Sequence, residues 1–268
     1  MFVRPALVNV MMRAAEKAGK SLRRDFGEVE QLQVSRKGPA DFVSAADLKA
    51  QSILREELEK ARPDFGFLME EKDDAPDTSQ KAERWIIDPL DGTTNFLHGV
   101  PHFAISIGVE REGELVAGLI YNPVTDETFS GEKGAGAFFN NKRMRVSGRK
   151  DLADCLMATG LPFKGSRKSV PQILKELDVV LPQVAGVRRA GAAALDLAYV
   201  AAGRFDAFWE TGLSPWDMAA GIFLVREAGG YVSPYVKGDN PLKTGALIAS
   251  NEALHDGFVR MIRGVQAG

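Results

Sequence analysis

Three apolar segments follow one another between residues 103 and 132, separated only by short turns: FAISIGVE (103–110), ELVAGLIYN (114–122) and ETFSGE (127–132). Glu112-Gly113 and Asn122-Pro123 supply the turn signals. FGFLM (65–69) and RWIID (84–88) precede the run, and GAFFN and RMRVS continue it. The pattern predicts an antiparallel meander. Two helices are predicted upstream, over 5–26 and about 44–61, packed on one face of that sheet. The first opens at Pro5 and stops before Gly27, with Leu7, Val8, Met11, Ala15, Ala18 and Leu22 at helical spacing. The second stops before Pro63, and Leu48, Ile53, Leu54 and Leu58 are its predicted buried stripe.

The pattern changes at SGRKD (147–151). Beyond it strands and helices alternate. CLMATG, FDAFWE and ALIAS read as strands, and SVPQILKELDVVL, GAAALDLAYVAAG, PWDMAAGIFLVREAG and NEALHDGFVRMIR as helices. Two units follow: an N-terminal α+β unit over 1–146 with the antiparallel sheet, and a C-terminal α/β unit over 147–268.

The chemistry concentrates in WIIDPLDGTTNF (85–96). Asp88 and Asp91 stand three residues apart at the end of an apolar strand. A carboxylate ending a buried strand is costly unless something compensates it. Carboxylates grouped with backbone carbonyls are hard oxygen ligands, suited to Mg²⁺ or Mn²⁺ rather than Zn²⁺. Gly-Thr-Thr then offers backbone N–H groups and hydroxyls, and a helix starting there would present its N-terminus to a phosphate. A lone strand with a capped turn would carry the same residues. Other acids strengthen the metal reading: Glu70 and Glu71 end a second apolar strand, Asp217 follows Trp216 at a helix start, and Asp47 sits in a first helical turn. Taken singly, each is an ordinary strand exit or helix-start acid.

Rival chemistries fail on spacing. A cysteine phosphatase needs Arg six positions after its Cys, and Leu161 stands there after Cys155, which reads as a core residue. Aspartyl-phosphate enzymes carry their acids two apart. His98, His102 and His255 have no zinc spacing, and His98 and His102 read as loop hydrogen-bonders. There is no phosphate-binding G-x-x-x-x-G-K-[ST] loop and no G-x-S-x-G elbow. A formal net charge of −2 gives no push toward nucleic acid. A single cysteine, no signal-peptide pattern and no uncharged stretch long enough to span a bilayer point to a cytoplasmic protein away from the membrane.

Together these segments resemble the inositol monophosphatase family. WIIDPLDGTTNF resembles its first signature and WDMAAGIFLVREAGG its second. DFVSAAD and FLMEE are similar to two upstream segments, and GAAALDLAYVAAGRFDAFWE to the bacterial branch. The chain departs from the family at Met69, where Gly is common, and at Ala192, where Ser or Thr is common. The resemblance implies a five-layer αβαβα sandwich of the inositol monophosphatase/fructose-1,6-bisphosphatase type, assembled as a homodimer. It implies two or three Mg²⁺ per site, with Mn²⁺ as a substitute. Glu70, Asp88 and the Leu90 carbonyl would hold one ion, and Asp88, Asp91 and Asp217 a second; Glu70 would help hold a weaker third, the position sensitive to Li⁺. Thr93, supported by Asp47, would position the attacking water. The N–H groups of Gly92 and Thr93 would hold phosphate, and Asp91, Ala194, Glu210 and Asp217 would line the polyol hydroxyls. The implied reaction is hydrolysis of a small phosphate monoester, foremost myo-inositol 1-phosphate, by direct attack of a metal-activated water. Fructose 1,6-bisphosphate, 3′-phosphoadenosine phosphate, NADP and histidinol phosphate are the alternative esters. A non-catalytic role with the transcription machinery is the alternative of a different class.

Overall fold

The computed structural model describes residues 5–28, 34–36, 42–71, 78–162 and 169–266. Most of the polar loop between the first two helices lies outside them. Helix α1 (Ala6–Phe26) is followed by a small hairpin of β1 (Val34–Arg36) and β2 (Phe42–Ser44), and then by α2 (Ala45–Ala61). The first sheet runs in chain order: β3 (Gly66–Met69), β4 (Glu83–Asp91), β5 (Ala104–Arg111), β6 (Glu114–Asn122), β7 (Glu127–Glu132), β8 (Gly136–Phe139) and β9 (Lys142–Arg143). From β4 onward every pairing is antiparallel, whereas the edge strand β3 pairs with β4 in parallel. Between β4 and β5 the chain forms one short helix, α3 (Thr93–Leu97).

Strand alternation splits this sheet into two faces. Trp85, Ile87, Ile105, Ile107, Val109, Leu119 and Tyr121 pack against Leu7, Met11, Leu22, Leu54 and Leu58 of the first two helices. Ala104, Ile120, Phe129 and Ala137 point the other way. They meet α5 (Ala193–Ala201) and α6 (Pro215–Glu227), which lie between this sheet and a second one. That second sheet has the order β11 (Gly186–Arg188), β10 (Leu156–Thr159), β12 (Ala207–Glu210), β14 (Leu247–Ser250), β13 (Tyr231–Pro234), and mixes parallel with antiparallel pairs. Its far face is covered by α4 (Val170–Val180) and α8 (Glu252–Gln266), around Met157, Trp209, Ile173, Phe258 and Ile262. Helix–sheet–helix–sheet–helix is the five-layer αβαβα sandwich. Each sheet stays on its own side of the position between residues 146 and 147, but the middle hydrophobic cluster joins both.

Leu48 corrects one expectation: it is 47% exposed. The buried face of α2 runs through Asp47, Gln51, Leu54 and Leu58, spaced at 4, 3 and 4 residues, and Leu48 falls one step off it. Ala46 and Ala50 are buried beside them, and two of these six buried residues, Asp47 and Gln51, are polar. Cys155 is fully buried in the outer cluster, and burial pushes its thiol up to about 11.

Candidate active site

Two carboxylates three residues apart on a regular strand would point to opposite faces. The register between β4 and β5 shifts between Asp88, opposite Ser106, and Asp91, opposite Ala104. β4 therefore spends three steps where β5 spends two, a bulge with one extra residue. Pro89, with no N–H to give to the ladder, sits inside it. The bulge brings Asp88 and Asp91 to the same place. Asp217 joins them from the first turn of α6, whose start is pinned to β5 where Ser106 Oγ donates to Trp216 O at 3.1 Å. One oxygen from each of Asp88, Asp91 and Asp217 lies within 4.8 Å of the others.

Asp217 is both of the things its sequence position allowed. Its Oδ2 accepts the Ser214 N–H at 2.7 Å, the return arm of a capping box, and it also joins the carboxylate cluster. Asp88 and Asp91 are buried. Burial first, then the charges of Glu70, Asp91, Asp217 and Asp47, holds Asp88 well above the usual carboxylate range. Asp91 is raised by burial, then Asp217, Glu210 and Glu70, and the Ala194 N–H opposes the shift. Acids gathered this way repel one another unless a cation sits among them. The donor set is all hard oxygen, and the cluster can hold a metal ion.

The remaining expected residues line or back one cavity of about 980 Å³. Glu70, Leu90, Gly92, Thr93 and Glu210 are in its wall with the three aspartates. Thr93 Oγ1 lies 3.1 Å from Leu90 O and 3.5 Å from Asp47 Oδ2. Gly92 has φ +92°, and a Cβ there would stand 3.0 Å from His102 O and 3.2 Å from Ala192 Cβ. The turn that starts α3 is thus closed to side chains on two counts. Ala194 stands behind the wall: it is fully buried, and Ala192 and Ala193 form the surface instead. Ala194 is the second residue of α5, and its free N–H donates to Asp91 Oδ2 at 2.8 Å.

Sequence reasoning missed several residues here. Gly160 faces Glu210 so closely that a Cβ would lie 1.9 Å from Glu210 Oε1. Asn95 Nδ2 donates to His102 O at 2.7 Å and to Ala190 O at 2.9 Å, tying the loop after β4 to the loop before α5. Its place in DGTTNF was the available signal. Asp196 also touches the cavity. Its Oδ1 is buried without a hydrogen-bond partner among the described residues, and burial followed by Glu210 and Asp91 raises it. His102 departs from its expected role. Its carbonyl accepts a hydrogen bond, but its ring packs edge-on against Tyr199 and Nε2 has no partner among the described residues.

A sandwich that draws carboxylates from β4, from the end of β3 and from α6 into one cavity defines a metal-binding phosphate monoester hydrolase. The chain belongs to the inositol monophosphatase family, whose profile matches residues 5–267. It is 58% identical over 249 residues to an inositol-1-monophosphatase of Rhizobium meliloti, covering 93% of each chain. It is 42% identical over 245 residues to the Nus factor SuhB of Escherichia coli K12, covering 91% of each. The crystal structure of the extragenic suppressor protein suhB from Bartonella henselae superposes with a TM-score of 0.91 at 54% identity, over 97% of this chain and 99% of that one.

Proposed function

We propose that the protein hydrolyses myo-inositol 1-phosphate to myo-inositol and phosphate, using Mg²⁺. The convergence of Asp88, Asp91 and Asp217 within 4.8 Å carries this reading, and the 58% identical relative named for that activity supports the substrate. Asp88, Asp91 and Asp217 would hold one ion. Glu70, Asp88 and the Leu90 carbonyl would hold another, and Glu70 would contribute to a third. Bound cations supply charge neutralisation on phosphate and a stronger water nucleophile.

The chain's own groups do the positioning. The Thr93 hydroxyl has one proton, directed to Asp47 or to Leu90 O, so its lone pairs are open to a water's O–H. Asp47 then stands where a proton drawn from that water can go. The Gly92 and Thr93 N–H groups face a phosphate at the start of α3. Glu210, Ala192 and Ala193 form the wall for the polyol, with Asp91 and Asp217 reaching its hydroxyls from the metal side. Ala192 brings no hydroxyl of its own to this wall.

Phosphate release from a panel of esters, with Mg²⁺ and with Mg²⁺ plus Li⁺, tests the assignment. Myo-inositol 1-phosphate is expected to be turned over best and Li⁺ to inhibit. Preference for fructose 1,6-bisphosphate, 3′-phosphoadenosine phosphate, NADP or histidinol phosphate would overturn the substrate. We place the enzyme in the cytoplasm as a homodimer; no helix among the described residues is long and apolar enough to cross a membrane. The 42% identity to a protein named as a Nus factor favours a second role with a transcription-machinery partner. Capture of such a partner by an Asp91→Asn chain would support it, and no capture would count against it.

A further inference from the structure

We infer that Gln51 is a positioning residue for Glu70, and that α2 thereby sets the geometry of the metal site from both sides. Glu70 is poorly restrained by its own strand. It follows β3, which among the described residues lies at the edge of the first sheet and pairs only with β4, and its N–H to Ile87 O at 3.3 Å is the last bond of that ladder. The next residue, Glu71, is buried, so its backbone groups need partners that the sheet does not offer. Gln51 offers both. Its Nε2 donates to Glu71 O at 2.7 Å, and its Oε1 accepts the Glu71 N–H at 3.1 Å. One buried amide thus replaces the missing neighbour strand directly after Glu70.

Gln51 lies one helical turn beyond Asp47 on the inner face of α2. Asp47 reaches Thr93, and Gln51 holds the chain at Glu70. These two side chains therefore fix the distance between the group that orients water and the carboxylate that completes the cation site. Removing a residue that orients a metal ligand typically weakens metal affinity by about 10–100-fold.

The inference rests on the metal-site reading above, and the test separates the two. Mn²⁺ binding is followed by the loss of the free-ion signal in electron paramagnetic resonance, on wild type, Gln51→Met and Leu54→Ala. Met has the shape of Gln without its hydrogen bonds. Leu54 is a fully buried neighbour on the same helix whose truncation perturbs packing. Gln51→Met is expected to weaken Mn²⁺ binding by at least about 10-fold, and Leu54→Ala to lower the melting temperature with Mn²⁺ affinity unchanged. Should Gln51→Met fail to fold, Gln51→Asn carries the test with the same expected shift, because it is one methylene too short to bridge both backbone groups. Unmoved Mn²⁺ affinity in the Gln51 variants, or an equal shift in Leu54→Ala, overturns the positioning role. A wild-type chain that binds no Mn²⁺ overturns the metal site itself.

Discussion

The backbone N–H of Ala194 donates to Asp91 Oδ2 at 2.8 Å, across 103 positions of sequence. It joins the bulge of β4 to the first turn of α5, so the carboxylate expected to face the cation is held by a helix N-terminus in the middle layer. A carboxamide at 91 keeps an oxygen for that bond and removes one charge from a self-repelling cluster. Asp91→Asn is therefore expected to melt at or above the wild-type temperature in EDTA. Wild type should gain stability with Mg²⁺, about 2.7 kcal/mol at 100 times Kd, and the variant should gain little. Differential scanning fluorimetry with and without Mg²⁺ reads both.

Gly160 leaves space that the Glu210 carboxylate occupies. Gly160→Ala must push that carboxylate aside. The expected result is a KM for myo-inositol 1-phosphate raised by roughly 10-fold, the scale of one lost hydrogen bond to a charged group. KM for p-nitrophenyl phosphate, which has no polyol, should stay near wild type. Steady-state kinetics on the two esters checks the split.

His255 is enclosed by two serines, with Nδ1 2.8 Å from Ser250 Oγ and Nε2 2.7 Å from Ser233 Oγ. Ser250 Oγ also donates to Asn251 O, so it accepts from Nδ1–H. Burial lowers its pKa from 6.5; Asp256 works against the shift and Arg263 with it, while the Tyr231 ring packs alongside. The unfolded chain binds this proton more tightly than the folded one. Stability is full above 6.5 and falls as pH drops toward the lowered folded value. Melting temperatures from about pH 8 down to about pH 5 should decline less steeply for His255→Gln than for wild type.

Hydrolysis by direct water attack inverts configuration at phosphorus, because one in-line displacement occurs. The one cysteine is buried in the outer hydrophobic cluster, away from the cavity-lining residues. A chiral phosphate ester hydrolysed in ¹⁸O-water is expected to give inverted product. Retention would demand a phosphoenzyme and a double displacement.

The meander and most of the helices were legible because their periodicities and stop signals are local. Glu114–Asn122 and Glu127–Glu132 fall at the residues expected. Gly186–Arg188 and Tyr231–Pro234 were not legible: they are three and four residues long, lie at the two edges of the second sheet, and exist because β10 and β14 offer partners. The acids of the site could be read in their segments, since carboxylates at strand and helix ends need compensation. How Asp88 and Asp91 come to share a face depends on a bulge that only the β5 register reveals. Which of Ala192, Ala193 and Ala194 form the surface of the cavity was not legible for a similar reason, since it depends only on where α5 begins. Gln51 and Gly160 escaped notice because their roles lie in contacts to Glu71 and Glu210, far along the chain.

The central claim is that Asp88, Asp91 and Asp217 make a cation site on which phosphate release depends. Its most direct test is phosphate released from myo-inositol 1-phosphate by metal-stripped wild type and Asp91→Asn, each titrated with Mg²⁺. No release is expected without Mg²⁺, and wild type is expected to be activated saturably. Asp91→Asn should fall at least ~10²-fold lower at every Mg²⁺ concentration, the scale of losing one preorganised electrostatic group. Wild-type release without any divalent cation, or near-wild-type turnover by Asp91→Asn at saturating Mg²⁺, would contradict it.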